Sequence, residues 1–446
     1  MHVEELKIDN IRSFEDVTLK FTRDSSKTPH NWVTFLGENG GGKSTALQAL
    51  GLLLAGPVGA GTLLPRPSGW VRDEDAPGKI SVSIRQGRKD PGVFDAAKTK
   101  NSFRYSYAIT GSKSLKVNKT TYTEPSIIPH GQASLSWLRN NAFSSKGTGW
   151  FAAGYGAFRR LTRSSRIDLP SLEPPARYRN FSTQFDESEP LSVFERWVVY
   201  LDYKMAKSKD KDSEPKRQFE RGIEAINQIL PSDARFDKVT PEGRILITVG
   251  GRSVPTIALS DGYRSVLALA GDLVWRLLQS FPKSQDPLKE EGVVLIDELD
   301  IHLHPIWQRD IAGVFRKQFP KIQFIVATHS PLIAAGAGED ALTYRFLFDQ
   351  GRSSVEKIAN VSAMNVERIL QSEAFGLVSP FSPQTQEKID RYDTLSRKGN
   401  GRTEAEDDML QELKDFMKEA NRVGGPPKPD SLEAKLDEYL TLKVMK

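Results

Sequence analysis

The sequence predicts an α/β fold: a mostly parallel sheet covered by helices, with an antiparallel sheet at the N-terminal end, a helical insertion and a helical C-terminal tail. Three patterns carry this reading. Trp32-Val-Thr-Phe-Leu36 is a short apolar run that ends in a glycine cluster and leads into a helical pattern from Thr45 to Leu54. Helix and strand patterns then alternate late in the chain: a helix from Asp261 to Leu278, a strand from Gly292 to Ile296, a helix from Pro305 to Lys317 and a strand from Gln323 to Thr328. Alternation of this kind builds a parallel sheet with helices on its faces. The opening run from Val3 to Phe14 alternates apolar and polar residues as an edge strand does, and a second strand follows from Val17 to Phe21.

The remaining segments read in order. Residues 56–150 are rich in Gly, Pro, Ser and Lys and hold short strand-like runs, Ile80–Ile84 and Phe103–Tyr107, among expected loops. Residues 188–230 turn helical, with Leu191, Phe194, Glu195, Trp197, Val198 and Leu201 at helical spacing. The charged stretch Lys207–Pro215 splits the region into two helices, read as a lid-like subdomain. A strand pair is expected near 236–258. Beyond about residue 379 the chain is polar and charged, with breaks at Gly399-Asn-Gly401 and Gly424-Gly-Pro-Pro427. The expected organisation is an N-terminal lobe over 1–185, a helical insertion over 186–235, a C-terminal lobe over 236–345 and a mostly helical interaction region over 346–446.

Composition narrows the function. The chain has 446 residues and no cysteine, which excludes disulfides, zinc–thiolate sites and thiol catalysis. No run of eighteen apolar residues is visible and the N-terminus lacks a signal-like apolar core, so a cytoplasmic protein without a membrane partner is expected. The net charge of +5 argues only weakly for a polyanionic partner. A basic stretch with Arg159, Arg160, Arg163, Arg166, Arg177 and Arg179 is either a solvated face or a contact for phosphates of DNA, RNA or nucleotide.

Gly37-Glu38-Asn39-Gly40-Gly41-Gly42-Lys43-Ser44 fits G-x-x-x-x-G-K-[ST] in full, with Thr45 opening the helix. In that pattern the backbone N–H groups converge on phosphate oxygens, Lys43 adds a positive charge at the outer phosphates and the Ser44 hydroxyl ligates Mg²⁺; ATP and Mg²⁺ are the expected ligands. Val293–Ile296 then places Asp297 and Glu298 at the carboxyl end of a buried strand, where ligands of open α/β sheets bind. Asp297 is expected to hold Mg²⁺ and Glu298 to polarise the attacking water. Ser260, Asp261 and Gly262 stand at a helix N-terminus, either as an ordinary cap or as an anion site. His329 ends a strand on the same rim, placed to reach a γ-phosphate. His302 and His304 lie two apart and do not share a helix face, which speaks against a zinc site.

The order of these motifs resembles the ATP-binding-cassette ATPases: a phosphate loop at Gly37–Ser44, a signature at Leu259–Arg264, a metal-binding Asp297 followed by a catalytic Glu298, and a switch histidine at His329. The runs FLGENGGGKSTALQAL, FAAGYGAFRR, LSDGYRSVLALAGDLVW, VLIDELDIHLHPIWQR and QFIVATHSPLIAA are similar to the RecF/SMC-related branch, and within it to the ATPases of Septu anti-phage defence and their retron-associated relatives. The overcoming-lysogenization-defect ATPases share the same core. The signature departs from the usual pattern, with Asp261 where many members carry Gly and Tyr263-Arg264 where many carry Gln and a following residue. No glutamine corresponds clearly to the usual metal-proximal one, and Gly154-Tyr155-Gly156 with Arg159 and Arg160 falls in that region. The resemblance implies ATP held in a homodimer by Lys43 of one copy and Ser260, Asp261 and Gly262 of the other, and a separately encoded effector such as an HNH nuclease. The alternatives left open are a RecF-like repair ATPase and the ATPase of an overcoming-lysogenization-defect nuclease system.

Overall fold

A computed structural model describes residues 1–87, 90, 102–117, 120–143, 149–159, 161, 176–187, 191, 193–210, 213–358, 361–363, 369–370 and 381–422. It divides into two compact units, Met1–Gly376 and Leu377–Lys446.

The first unit is built on two large sheets. Strands β1 (His2–Ile11), β2 (Phe14–Lys20), β4 (Gly78–Arg85), β5 (Ser102–Val117) and β6 (Thr120–His130) form an antiparallel sheet in the order β2-β1-β4-β5-β6. Strands β3 (Trp32–Gly37), β7 (Ala152–Tyr155), β11 (Gly292–Ile296), β12 (Ile322–Thr328), β13 (Leu342–Asp349) and β14 (Arg352–Ile358) form the second, in the order β14-β13-β3-β12-β11-β7. In it only the β13–β14 pair is antiparallel. A small third sheet joins β8 (Ala234–Val239), β9 (Ile245–Val249) and β10 (Arg252–Pro255). Segment 56–150, read in sequence as mainly loop, therefore supplies three long strands of the first sheet.

Helix α1 (Lys43–Leu63) lies between the two large sheets. Its sequence expectation stopped at Leu54, before the Gly- and Pro-rich segment that begins at residue 56. The backbone kinks at Gly56 and the helix resumes. By length and composition α1 could cross a membrane, with mean hydropathy 1.5, but its apolar surface is spent inside the core.

The continuous apolar runs of the parallel strands follow from burial on both faces. In β11, Val293 and Leu295 pack toward α1 and the antiparallel sheet. Val294 and Ile296 face the opposite core, which contains α4 (Val193–Lys207), α5 (Glu214–Ile229), α6 (Asp261–Ser280) and α7 (Pro305–Gln318), met in chain order after α2 (Gln132–Asn140) and α3 (Ser182–Phe185). The break between α4 and α5 falls where the charged stretch placed it. These two helices are not a separate lid: Phe194, Trp197, Val198 and Leu201 are buried in this core, and Trp197 donates to the Gly271 carbonyl of α6 at 3.1 Å.

The expected boundary at residue 346 falls inside β13, which pairs with β3, so the strands up to Ile358 belong to the sheet that carries Gly37. Short helix α8 (Pro331–Gly336) precedes β13. The second unit contains α9 (Pro383–Arg397) and α10 (Glu404–Arg422), joined through Gly399–Gly401 and packed on each other through Leu395, Leu410 and Leu413. The glycines of 424–425 lie outside the described residues.

Candidate functional site

Parallel order brings the carboxyl ends of β3, β12, β11 and β7 to one rim of the sheet. The expected residues of the phosphate loop, the acid pair and the histidine meet there. A cleft of about 320 Å³ is lined by Asn39, Gly40, Gly42, Lys43, Ser44, Thr45, Glu298 and His329, joined by Arg12 and Ser13.

Gly37, Gly40 and Gly42 all hold the loop at positive φ, and two of them are also sterically confined. Gly37 has φ 148°, and a Cβ there would stand 2.2 Å from the Phe346 carbonyl oxygen of β13. Gly42 has φ 93° at the start of α1, and a Cβ would meet the Phe14 ring at 2.4 Å. Lys43 is only 5% exposed and donates to the Gly37 and Glu38 carbonyls, both at 2.8 Å. Burial lowers its ammonium pKa to about 8, against the opposing pull of Asp297 and Glu298.

Asp297 is half-buried, its amide donates to the Tyr155 carbonyl at 2.8 Å, and desolvation raises its carboxyl pKa against the opposing pull of Ser44. Its Oδ1 is buried without a partner. Glu298 follows with φ 46°, a left-handed backbone that costs a non-glycine residue about 1–3 kcal/mol. Asp300 gathers the neighbouring loop, accepting from the Thr328 hydroxyl and, at 3.2 Å, from the His329 amide. Burial lowers the His329 pKa, and Lys43 adds to the effect.

The signature residues stand elsewhere. Ser260, Asp261 and Gly262 do not line the cleft. Ser260 occupies the N-cap position of α6 without a side-chain capping bond, and Asp261 is 65% exposed. Gly262 is packed so closely that a Cβ would stand 2.6 Å from the His302 carbonyl oxygen. Arg264 turns inward and donates to the Leu161 carbonyl at 3.1 Å. His304 caps α7 by accepting from the Ile306 amide, and among the described residues no group of three His, Cys, Asp or Glu side chains is arranged to hold a metal.

Two residues were not foreseen in these roles. Arg12, between β1 and β2, donates to Thr45 Oγ1 and Gln48 Oε1, each at 3.2 Å, with its guanidinium 4.5 Å from the Trp70 ring centroid. Arg159 was read as one member of a basic stretch, but it is 4% exposed and bonds the main-chain carbonyls of Gly156, Asp297 and Glu298. Its burial lowers its pKa to about 10. Arg177 likewise turns inward, onto the Trp150 carbonyl. A continuous phosphate-binding face from Arg159 to Arg179 is therefore corrected at Arg159 and Arg177, while Arg179 is exposed. Arg160, Arg163 and Arg166 lie outside the described residues.

A family model described as "AAA domain, putative AbiEii toxin, Type IV TA system" matches residues 33–335, from the strand before the phosphate loop to the helix after His329. The chain belongs to this AAA-domain family. Within the curated proteins it is similar to "Septu protein PtuA" of Bacillus mycoides (strain KBAB4), 26% identical over 98% of this chain and 53% of the relative. It is also similar to "Retron Ec83 probable ATPase" of Escherichia coli, 38% identical over 25% of this chain and 20% of the relative. The chain thus spans about half the length, or less, of these curated relatives. Among solved structures, the SMC head bound to the C-winged helix domain of ScpA matches with a TM-score of 0.48 and 19% identity, over 81% of this chain and 99% of that one. The AAA-domain assignment agrees with the resemblance read from the motifs.

Proposed function

We propose that the chain is the ATP-binding and ATP-hydrolysing subunit of a cytoplasmic, nucleic-acid-directed anti-phage defence complex. One observation carries the ATPase reading: Lys43, Ser44, Glu298 and His329 line one cleft, with Asp297 beside Glu298 at the end of β11. Backbone N–H groups of Gly37–Ser44 and the Lys43 ammonium bind the outer phosphates of ATP. Ser44 and Asp297 suit Mg²⁺, because a hydroxyl beside a carboxylate with an unpartnered buried oxygen matches a cation that takes few protein ligands. When bound, Mg²⁺ neutralises charge on the transferring phosphoryl group. Glu298 orients the attacking water and accepts its proton, and His329 contacts the γ-phosphate side. The names of the Septu and retron relatives support the defence setting, in which ATP turnover gates a separate nuclease such as an HNH protein acting on DNA or RNA.

The working unit in this reading is a homodimer, with each ATP held by Lys43 of one copy and by Ser260, Asp261 and Gly262 of the other. The exposed Ser260, free of a capping bond and away from the cleft of its own chain, supports the arrangement. A two-fold pairing closes after two subunits and yields two equivalent sites. The test mixes a Lys43→Ala chain with a Ser260→Arg chain, each inactive alone. Shared sites give a heterodimer with one intact site and restored turnover. No restoration in demonstrated heterodimers, or full turnover by a monomer, refutes the shared site.

A further inference from the structure

We infer that Arg159 is a positioning residue for the acid pair, fixing the backbone from which the Glu298 carboxylate projects. The inference rests on the ATPase reading above. Strand β7 lies beside β11, and the segment that leaves β7 crosses the end of β11. From there Arg159 Nη1 donates to the Gly156 carbonyl at 2.8 Å and to the Asp297 carbonyl at 2.6 Å, and Nη2 donates to the Glu298 carbonyl at 2.8 Å. Tyr155, on the same strand, accepts from the Asp297 amide. Asp297 is therefore held through its amide by Tyr155 and through its carbonyl by Arg159, and Glu298 is held through its carbonyl by Arg159.

The chemistry calls for arginine. Glu298 leaves the extended conformation of β11 with φ 46°, so the carbonyls on either side of it turn away from the sheet ladder. Buried carbonyls need donors. Two carbonyls from consecutive residues are met by two amino groups of one rigid planar fork, which an ammonium on a flexible stem does not reproduce. Among the described hydrogen bonds, none joins Arg159 to the carboxylate of Asp297 or Glu298. The guanidinium therefore acts on the main chain, and through it on where the general base sits.

A misplacement of about 1 Å at a reacting group costs on the order of 10²-fold in rate. The test compares wild type, Arg159→Lys, Glu298→Gln and the double variant, with thermal melts to follow folding, ATP affinity by titration and hydrolysis by single turnover. Arg159→Lys is expected to bind ATP as wild type does and to hydrolyse it about 10²-fold more slowly, while adding no loss in the Glu298→Gln background. Wild-type turnover in Arg159→Lys, additive losses in the double variant, or ATP affinity falling in step with rate each overturn the assignment. So does failure of both Arg159→Lys and the similar-sized Arg159→Met to fold, which makes the residue a determinant of the fold. A wild-type chain without ATP turnover overturns the ATPase reading and this inference together; normal turnover in Arg159→Lys overturns the inference alone.

Discussion

Lys43 offers a quantitative test of the phosphate site, with pH as the perturbation. Its ammonium is buried against two carbonyls and its pKa falls to about 8 from the ordinary 10.5. ATP phosphates favour the charged form, so binding returns the pKa toward its ordinary range and takes up a proton wherever the free lysine is partly neutral. At about pH 8 half of the free protein carries a neutral Lys43, and binding takes up about 0.5 proton. At about pH 9 roughly one molecule in ten is charged, so affinity is about tenfold weaker than at about pH 7, a loss of about 1.4 kcal/mol. The His329 pKa is shifted below its ordinary value, so this residue is neutral across the window and does not mimic the effect. For the fold, the sign is opposite: the lowered pKa penalises the folded state below about 8, and this penalty is relieved as pH rises toward the unfolded value. The assay is calorimetric titration of ATP at about pH 8 in two buffers of different ionisation enthalpy, with Lys43→Met as the control. Equal heats in both buffers, with affinity flat from about pH 7 to 9, would refute this account of Lys43.

Three further outcomes are expected. Glu298→Gln still binds ATP but hydrolyses it about 10²–10⁴-fold more slowly and accumulates as a nucleotide-bound dimer on size-exclusion chromatography; failure to bind ATP would make Glu298 structural. His329→Ala loses turnover more than affinity, whereas equal losses of ADP and ATP binding would mark a structural histidine. Gly37→Ala sets a Cβ 2.2 Å from the Phe346 carbonyl oxygen at φ 148° and should cost about 2–4 kcal/mol in a denaturant midpoint series; an unchanged midpoint would show that β13 yields readily.

The parts of the site that could be read from sequence are those whose chemistry is contiguous. Gly37–Ser44 and Val293–Glu298 each carry strand, turn and reactive group in a few residues, so local pattern and function coincide. Arg159 was hidden because its partners Asp297 and Glu298 lie 138 and 139 residues away, and an arginine in a basic run gives no sign of facing inward. Arg12 was hidden for the same reason, as its contact with Thr45 forms only when β1 folds beside α1. The two faces of β11 are equally apolar, so sequence predicts a buried strand but does not separate its two cores. The reach of α1 past Gly56-Pro57 is a case of tertiary packing overriding a local stop signal, since Gly59 and Ala60 are buried beyond the kink. The expected boundary at residue 346 cut through strand β13 because its pairing with β3 joins segments roughly 310 residues apart, which no local pattern announces.

The stitching around Asp300 has a mechanical consequence. Leu299 donates to the Ala327 carbonyl, Thr328 and the His329 amide converge on Asp300, and Ser330 reaches Gln308 in α7. The acid loop and the histidine loop are thereby a single stiff block. The glycine loop leaves the neighbouring strand β3 and is seated on β13 through Gly37. His329 stands between them, lining the same cleft as Lys43 and Ser44. In the ATPase reading proposed above, a γ-phosphate held in that cleft would meet both loops at once, so the stage of the chemical cycle would be registered as a change in how they are joined, with the stitching around Asp300 left intact.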